Sequence, residues 1–323
     1  VSKPETTSKQ PALNGGWMVL AAAVLWGTTG TAQAFAPPGA APMAVGAVRL
    51  MIGTLALGLI AARQGHLSTL RDWRAWPVLV TVLAAAAVAA FQLLFFAGVS
   101  RTGVAVGTIV GIGSTPIAAG IFTYLAYRQI PGRRWIAATI LALLGCGLLI
   151  LQGQEVQIDP WGVLLAMGAG AAYALYTLLS KVLLGQQPRG AVLFVTFTLG
   201  SLFLLPVLFT ADMAWLREPM GMLVALHLGI VTVGIAYQLF AVGLTTISVA
   251  SAATLTLLEP LTATVLGVFV LGETLSPQAL AGIGFVLAGL VLLVYQPRRR
   301  AIPGVPALPL KPDLVPLESI DHE

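Results

Sequence analysis

Glu259 stands immediately before Pro260 inside the apolar run TLTLLEPLTATVLGVFVL. A carboxylate in such a run is costly unless it is paired, protonated or hydrated. The proline removes a backbone donor and opens a kink, which frees carbonyls to face a cavity. Two roles fit this pair. Glu259 is either a cavity carboxylate that meets a substrate amine or a proton, or a structural acid bonded to a neighbouring helix. Arg49 lies in a second apolar run. Its long side chain can reach the interface or bridge helices, or it can clamp a substrate carboxylate with two parallel hydrogen bonds.

Other polar and aromatic residues are scattered through similar runs. Trp26 and Tyr173 fall in mid-run beside the small residues Gly27 and Ala174. Aromatic walls of this kind suit an apolar or cationic guest. Tyr176, Thr177, Gln92, Thr108, Tyr237, Gln238 and Thr254 add neutral hydroxyl and amide groups and complete the candidate cavity set. Pro116 and Pro260 are the expected helix kinks. His227 and Lys181 fit helix-bridging and snorkelling better than chemistry.

No catalytic set is recognisable. Gly111-Ile112-Gly113-Ser114 lacks the last glycine of a Gly-x-Ser-x-Gly elbow. Of the three histidines, His66 and His322 lie outside apolar runs, so only His227 could act as an intramembrane base. No clustered ligand set for zinc occurs and no phosphate-binding loop is present. An enzyme, a metal site, a cofactor and a nucleic-acid partner are therefore not expected.

The elements that must carry these residues follow from composition. The 323 residues are 58% hydrophobic and 9% charged, with a mean hydropathy of +0.92. A soluble domain carries about 25% charged residues, so this chain needs lipid as its solvent. Ten segments have about the length a bilayer requires: 17–36, 43–62, 75–97, 103–127, 134–151, 161–184, 190–210, 219–241, 248–271 and 276–295. Lys3 and Lys9, followed by an apolar run ending in Ala32-Gln33-Ala34, also resemble a secretory leader. The run is long enough to be a full span and has a counterpart later in the chain, which favours a span.

If the N-terminus is cytoplasmic, fourteen basic residues fall inside and only Arg101 and Arg217 outside. The inner set is Lys3, Lys9, Arg63, Arg71, Arg74, Arg128, Arg133, Arg134, Lys181, Arg189, Arg298, Arg299, Arg300 and Lys311. Such a bias places both termini in the cytoplasm. Trp17, Trp73, Trp76, Trp135, Trp161 and Trp215 sit near segment ends, where interfacial anchors belong.

The chain also repeats. A shift of 144 residues brings Pro116 onto Pro260, Gly145 onto Gly289 and Leu148 onto Leu292; a shift of 147 brings Trp26 onto Tyr173. Two copies of a five-span unit must insert with opposite orientations, because five is odd. The expected fold is an all-α membrane protein of ten transmembrane helices, arranged as two inverted five-helix repeats with a midplane site between them. The expected organisation is a cytoplasmic tail over 1–16, repeats over 17–151 and 161–296, and a disordered tail over 297–323.

With these features in place, the sequence resembles the drug/metabolite transporter superfamily, in particular its EamA-type ten-span members. The resemblance rests on Leu25-Trp26-Gly27, on Ala172-Tyr173-Ala174-Leu175-Tyr176, on Leu258-Glu259-Pro260-Leu261, and on Leu271-Gly272-Glu273 followed by Gly282 and Gly289. It covers residues 17–296. Arg128-Gln129 departs from the family pattern, standing where the second half has Gly272-Glu273. Within the superfamily the chain is similar to YddG-type exporters of aromatic and other neutral amino acids.

The resemblance implies a secondary transporter, exporter or facilitator, of small neutral metabolites, above all aromatic and other neutral amino acids, through a central cavity between the two repeats. It would work as a monomer in the bacterial cytoplasmic (inner) membrane, by alternating access. Export of cationic aromatic drugs or other metabolites is the alternative, and a channel lacking a ring of like charge is a weaker one. Phosphorylated cargo is disfavoured, because the apolar runs hold so few cations.

Overall fold

The computed structural model describes residues 11–150, 159–272, 274 and 276–294. The tails expected over 1–16 and 297–323 lie largely outside that range, as does Glu273. Everything described is helix or short connection. The helices are α1 (Pro11–Ala34), α2 (Pro42–Arg63), α3 (Val78–Thr102), α4 (Val106–Tyr127) and α5 (Arg133–Ile150). They continue with α6 (Pro160–Leu184), α7 (Arg189–Phe203), α8 (Pro219–Thr246), α9 (Val249–Leu271) and α10 (Pro277–Val294). Each coincides with an expected segment to within a few residues at most ends. Among the described residues, seven of these helices are both long and apolar enough to cross a bilayer. The 22 residues of α2 span about 33 Å at 1.5 Å per residue, close to the thickness of the hydrocarbon core.

The chain is apolar on its outside as well as within. Leu55, Leu79, Phe209 and Phe269 are more than 70% exposed, which water would penalise and lipid does not. With no hydrophobic driving force between helices in lipid, close packing must hold them together, and that needs small residues. A Cβ on Gly145 would meet Val286 N at 2.6 Å and Gly282 O at 2.7 Å. On Gly289 it would meet Ala138 O at 2.6 Å and Ala142 N at 2.9 Å, so α5 and α10 touch backbone to backbone.

These close approaches come in matched pairs. Gly15 of α1 lies on Gly243 of α8, and Gly162 of α6 lies on Gly98 of α3. Gly53 of α2 packs on Val233 of α8, and Gly200 of α7 on Val88 of α3. Shifting one half by 144 to 147 residues turns each contact into its partner.

Two of these helices depart locally from the regular α form. A nine-residue π segment, His227–Ile235, interrupts α8. α9 breaks at Thr256–Leu257, where Leu257 N and Glu259 N fold back onto Thr254 O and Thr256 O in short turns. Pro260 cannot donate, and the break accommodates that loss. Pro116, expected to act likewise, lies in a helix that runs unbroken through it. Beside it, the Ser114 and Thr115 hydroxyls both donate to Gly111 O.

The tryptophans also need one correction. Trp17, Trp73 and Trp161 are exposed as anchors should be. Trp76 and Trp215 are instead buried, against Leu183 and Val192 and against Val224 and Leu228 respectively.

Candidate functional site

Among the described residues, the packing leaves a large cavity of about 1390 Å³ lined by α1, α2, α3, α4, α5, α6, α8 and α9. Its mouth is ringed by Gln33, Ala34, Pro42, Val99, Gly272 and Ser276, all from helix ends or connections on one face. Its floor is aromatic. Trp26 meets Tyr173 edge to face at 6.2 Å and Tyr237 at 5.0 Å, and Tyr176 meets Tyr237 at 5.9 Å. Phe91 extends the wall, 5.5 Å from Tyr173. Trp26 and Tyr173, matched by the repeat, are therefore in contact at the centre of the molecule.

The floor is held by a specific bond. Trp26 Nε1 donates to Thr232 O at 2.8 Å, within the π segment of α8. Two residues further along α1, Thr28 Oγ1 lies 2.8 Å from His227 Nε2, so α1 and α8 are tied twice. His227 thus bridges helices, as its sequence context suggested.

Two ionisable side chains, Arg49 and Glu259, face the cavity. Arg49 Nη2 donates to Gln92 Oε1 at 3.1 Å, and the Gln92 amide in turn reaches Gly46 O at 3.5 Å. Arg49 does not snorkel out of α2; it points inward and is steadied by α3. Its Nε is buried without a partner, as is the hydroxyl of Tyr173. Glu259 lines the same cavity from the broken turn of α9. The two charges are not paired: among the described residues, the one ion pair is Arg101–Asp159 on the molecular surface.

Of the residues expected at the site, Trp26, Gln92, Thr108, Tyr173, Tyr176, Tyr237, Glu259 and Arg49 line the cavity. Thr177, Gln238 and Thr254 do not. Thr177 is fully buried and back-bonded to Tyr173 O. Thr254 is fully buried and bonds Thr139 of α5 at 2.9 Å. The Gln238 amide is buried away from the space with no partner. Each lies within two residues of a lining residue in sequence but projects from another side of its helix, since successive residues turn by about 100°. Sequence reasoning missed Phe91, Phe95 and Phe96 of α3, although the motif Phe91-Gln92-x-x-Phe95-Phe96 surrounds a residue it did select.

Opposite the mouth the described residues are closely packed. Beyond the aromatic floor come Val19, Leu20, Leu178, Leu244 and Leu255, packed as one apolar cluster. Lys181 Nζ donates to Leu244 O and Ile247 O, both at 2.7 Å, at the C-terminal end of α8. It caps carbonyls that the helix itself cannot satisfy.

Comparison with known proteins fits this architecture. The model of the EamA-like transporter family matches residues 13–151 and again 160–295. The chain is 44% identical over 284 residues to an uncharacterized transporter, YwfM, of Bacillus subtilis, covering 87% of this chain and 94% of that one. It is 30% identical over 285 residues to the threonine/homoserine exporter RhtA of Escherichia coli K12, covering 84% and 88%. A solved crystal structure superposes with a TM-score of 0.74 at 20% identity, over 86% of this chain and 95% of the other, which speaks to the fold alone. Two successive family matches, falling on the two halves whose contacts mirror each other, leave one conclusion: this chain is a multi-pass membrane transporter, not an enzyme, and belongs to the EamA-like transporter family.

Proposed function

We propose that the protein is a secondary transporter of small neutral amino acids in the cytoplasmic membrane, working as a monomer by alternating access through this cavity. One observation carries the reading: a basic side chain, Arg49, and an acidic one, Glu259, not paired with each other, face one cavity across an aromatic floor. A zwitterion complements that arrangement, its carboxylate on Arg49 and its ammonium on Glu259, with the side chain against Trp26, Tyr173 and Phe91. Charge-assisted hydrogen bonds of this kind contribute about 1.5–3 kcal/mol each. The amino-acid exporter RhtA among the relatives points the same way. A cationic drug fits less well, because Arg49 would repel it.

Ten membrane crossings in two inverted repeats underlie the mechanism. The paired glycine contacts support it, and so does the meeting of Trp26 with Tyr173, because residues exchanged by a twofold axis touch only if both lie close to it. Under the orientation set by the basic residues, the mouth faces outside and Lys181 lies at the sealed cytoplasmic end. Rocking one repeat against the other would then open the inner end and close the outer one.

The test is counterflow of labelled threonine, homoserine and phenylalanine in proteoliposomes of purified protein. Saturable exchange that Arg49→Gln weakens supports the reading. Non-saturating flux, or exchange indifferent to every amino acid offered, rejects it.

A further inference from the structure

A second recess lies on the outer surface, away from the transport cavity. It is a groove of about 440 Å³ between α4 and α5, lined by Gly120, Ile121, Tyr124, Trp135, Ile136 and Ile140 among others. Gly120 makes it possible, since a Cβ there would strike the Trp135 indole at 2.8 Å. Ile121, Tyr124, Ile136 and Ile140 are each more than 40% exposed. The groove is roughly three times the ~150 Å³ cavity that accommodates a benzene.

One end of the groove is basic. Pro131 lines it, and Arg133, two residues on, is exposed. Arg128 follows α4 directly, and its guanidinium sits over the ring of Tyr124, 6.0 Å from the centroid, at the groove's edge. Arg134 is already engaged, donating to Leu292 O. Arg128 and Arg133 have no carboxylate within ion-pair distance among the described residues.

The backbone of Arg128 adds an independent clue. At φ +53° it is the one non-glycine residue with positive φ among those described. The matching position of the second half, 144 residues later, is Gly272 at φ +72°, the residue this conformation favours. The first half thus carries an arginine where its own repeat uses glycine, and tolerates a disfavoured backbone to do so. Strain of this kind directs attention to what the side chain does.

We infer that the α4–α5 groove is a binding site for an anionic phospholipid, with an acyl chain along the groove and the phosphate between Arg128 and Arg133. Juxtamembrane arginines attract anionic headgroups electrostatically, and the apolar trough supplies the second contact that a free anion cannot use. The site is independent of the transport reading and requires only that the chain lie in a bilayer.

Purified protein in neutral detergent would be titrated with phosphatidylglycerol, phosphatidylcholine or inorganic phosphate, following Tm and the lipids retained in native mass spectrometry. Phosphatidylglycerol should raise Tm by several degrees and be retained, while phosphatidylcholine and phosphate should not. Arg128→Gly restores the backbone of the second half, so it should fold at least as well as the parent. In the double variant Arg128→Gly, Arg133→Gln the phosphatidylglycerol shift and retention should be lost; in Ile140→Trp, which fills the trough, retention should fall. Equal shifts by phosphatidylcholine would reduce the groove to ordinary annular contact. Equal shifts by phosphate would make it an ion site, and a double variant that still holds phosphatidylglycerol would remove the site altogether.

Discussion

Glu259 and Arg49 show how much a single side chain's surroundings decide. Each is a charge in an apolar helix, yet neither neutralises the other within ion-pair distance. In lipid, such groups persist only where they meet water, a partner or a ligand, and the cavity provides the first and third. Glu259→Gln keeps the size of the side chain and removes its charge. Transport of a neutral amino acid should fall by about 10- to 100-fold, the equivalent of about 1.5–3 kcal/mol from one charge-assisted bond, with the protein still folded in the membrane. Uptake unchanged in Glu259→Gln liposomes would return the residue to a structural role. Trp26→Phe keeps a ring above Tyr173 and loses the bond to Thr232 O. It should cost about 1 kcal/mol of stability, read as a lower melting temperature in detergent.

At the level of the helices, small residues and a few caps do the work that hydrophobic burial does in water. Gly145→Val would drive a side chain into Val286 N and Gly282 O, both under 3 Å away. The variant should lose about 1–3 kcal/mol, while the same change at Gly147, which has nothing within 4 Å, should be nearly neutral. Comparing the two by thermal melt tests whether α5–α10 contact holds the halves together. Lys181 is the corresponding device at the sealed end, and its repeat counterpart, 147 residues earlier, is Ala34 at the open mouth. That asymmetry fits a cavity open on the Ala34 side. Lys181→Met should shift the population towards an inward-open form. Labelling of a cysteine placed at Leu244, buried at that end, in a Cys146→Ser background, should then accelerate about fivefold or more, as a change of about 1 kcal/mol predicts. An unchanged labelling rate would show that the cap plays no part in closure.

For the whole molecule, the two ends are already distinguishable. Gln187 Nε2 donates to Ala75 O at 3.0 Å, joining the α6–α7 and α2–α3 connections. Arg101 and Asp159 join the end of α3 to the start of α6. Cysteines placed at Gln187 and at Asp159 should therefore be labelled from opposite sides of the membrane, the former from the cytoplasm. Labelling of both from one side would overturn the inverted arrangement and alternating access with it.

Much of this molecule could be read from residue order. Lipid forces every backbone polar group to be satisfied within its own helix, so each helix declares itself locally by length and hydropathy. The helices at Arg133–Ile150 and Pro160–Leu184 fall almost where expected for that reason. The repeat was visible through Gly145, Gly289, Trp26 and Tyr173, because close packing at an axis tolerates few residue types. What residue order could not supply was the rotation of each helix about its axis. In a helix apolar all round, no polar face marks the inner side, so Thr108 and Thr254 look alike in sequence, yet one lines the cavity and the other bonds a neighbouring helix. Only the packing of α8 and α9 against α1, and of α6 and α7 against α3, decided that Arg49 turns inward, that Phe91, Phe95 and Phe96 complete the wall, and that the second proline breaks its helix while the first does not.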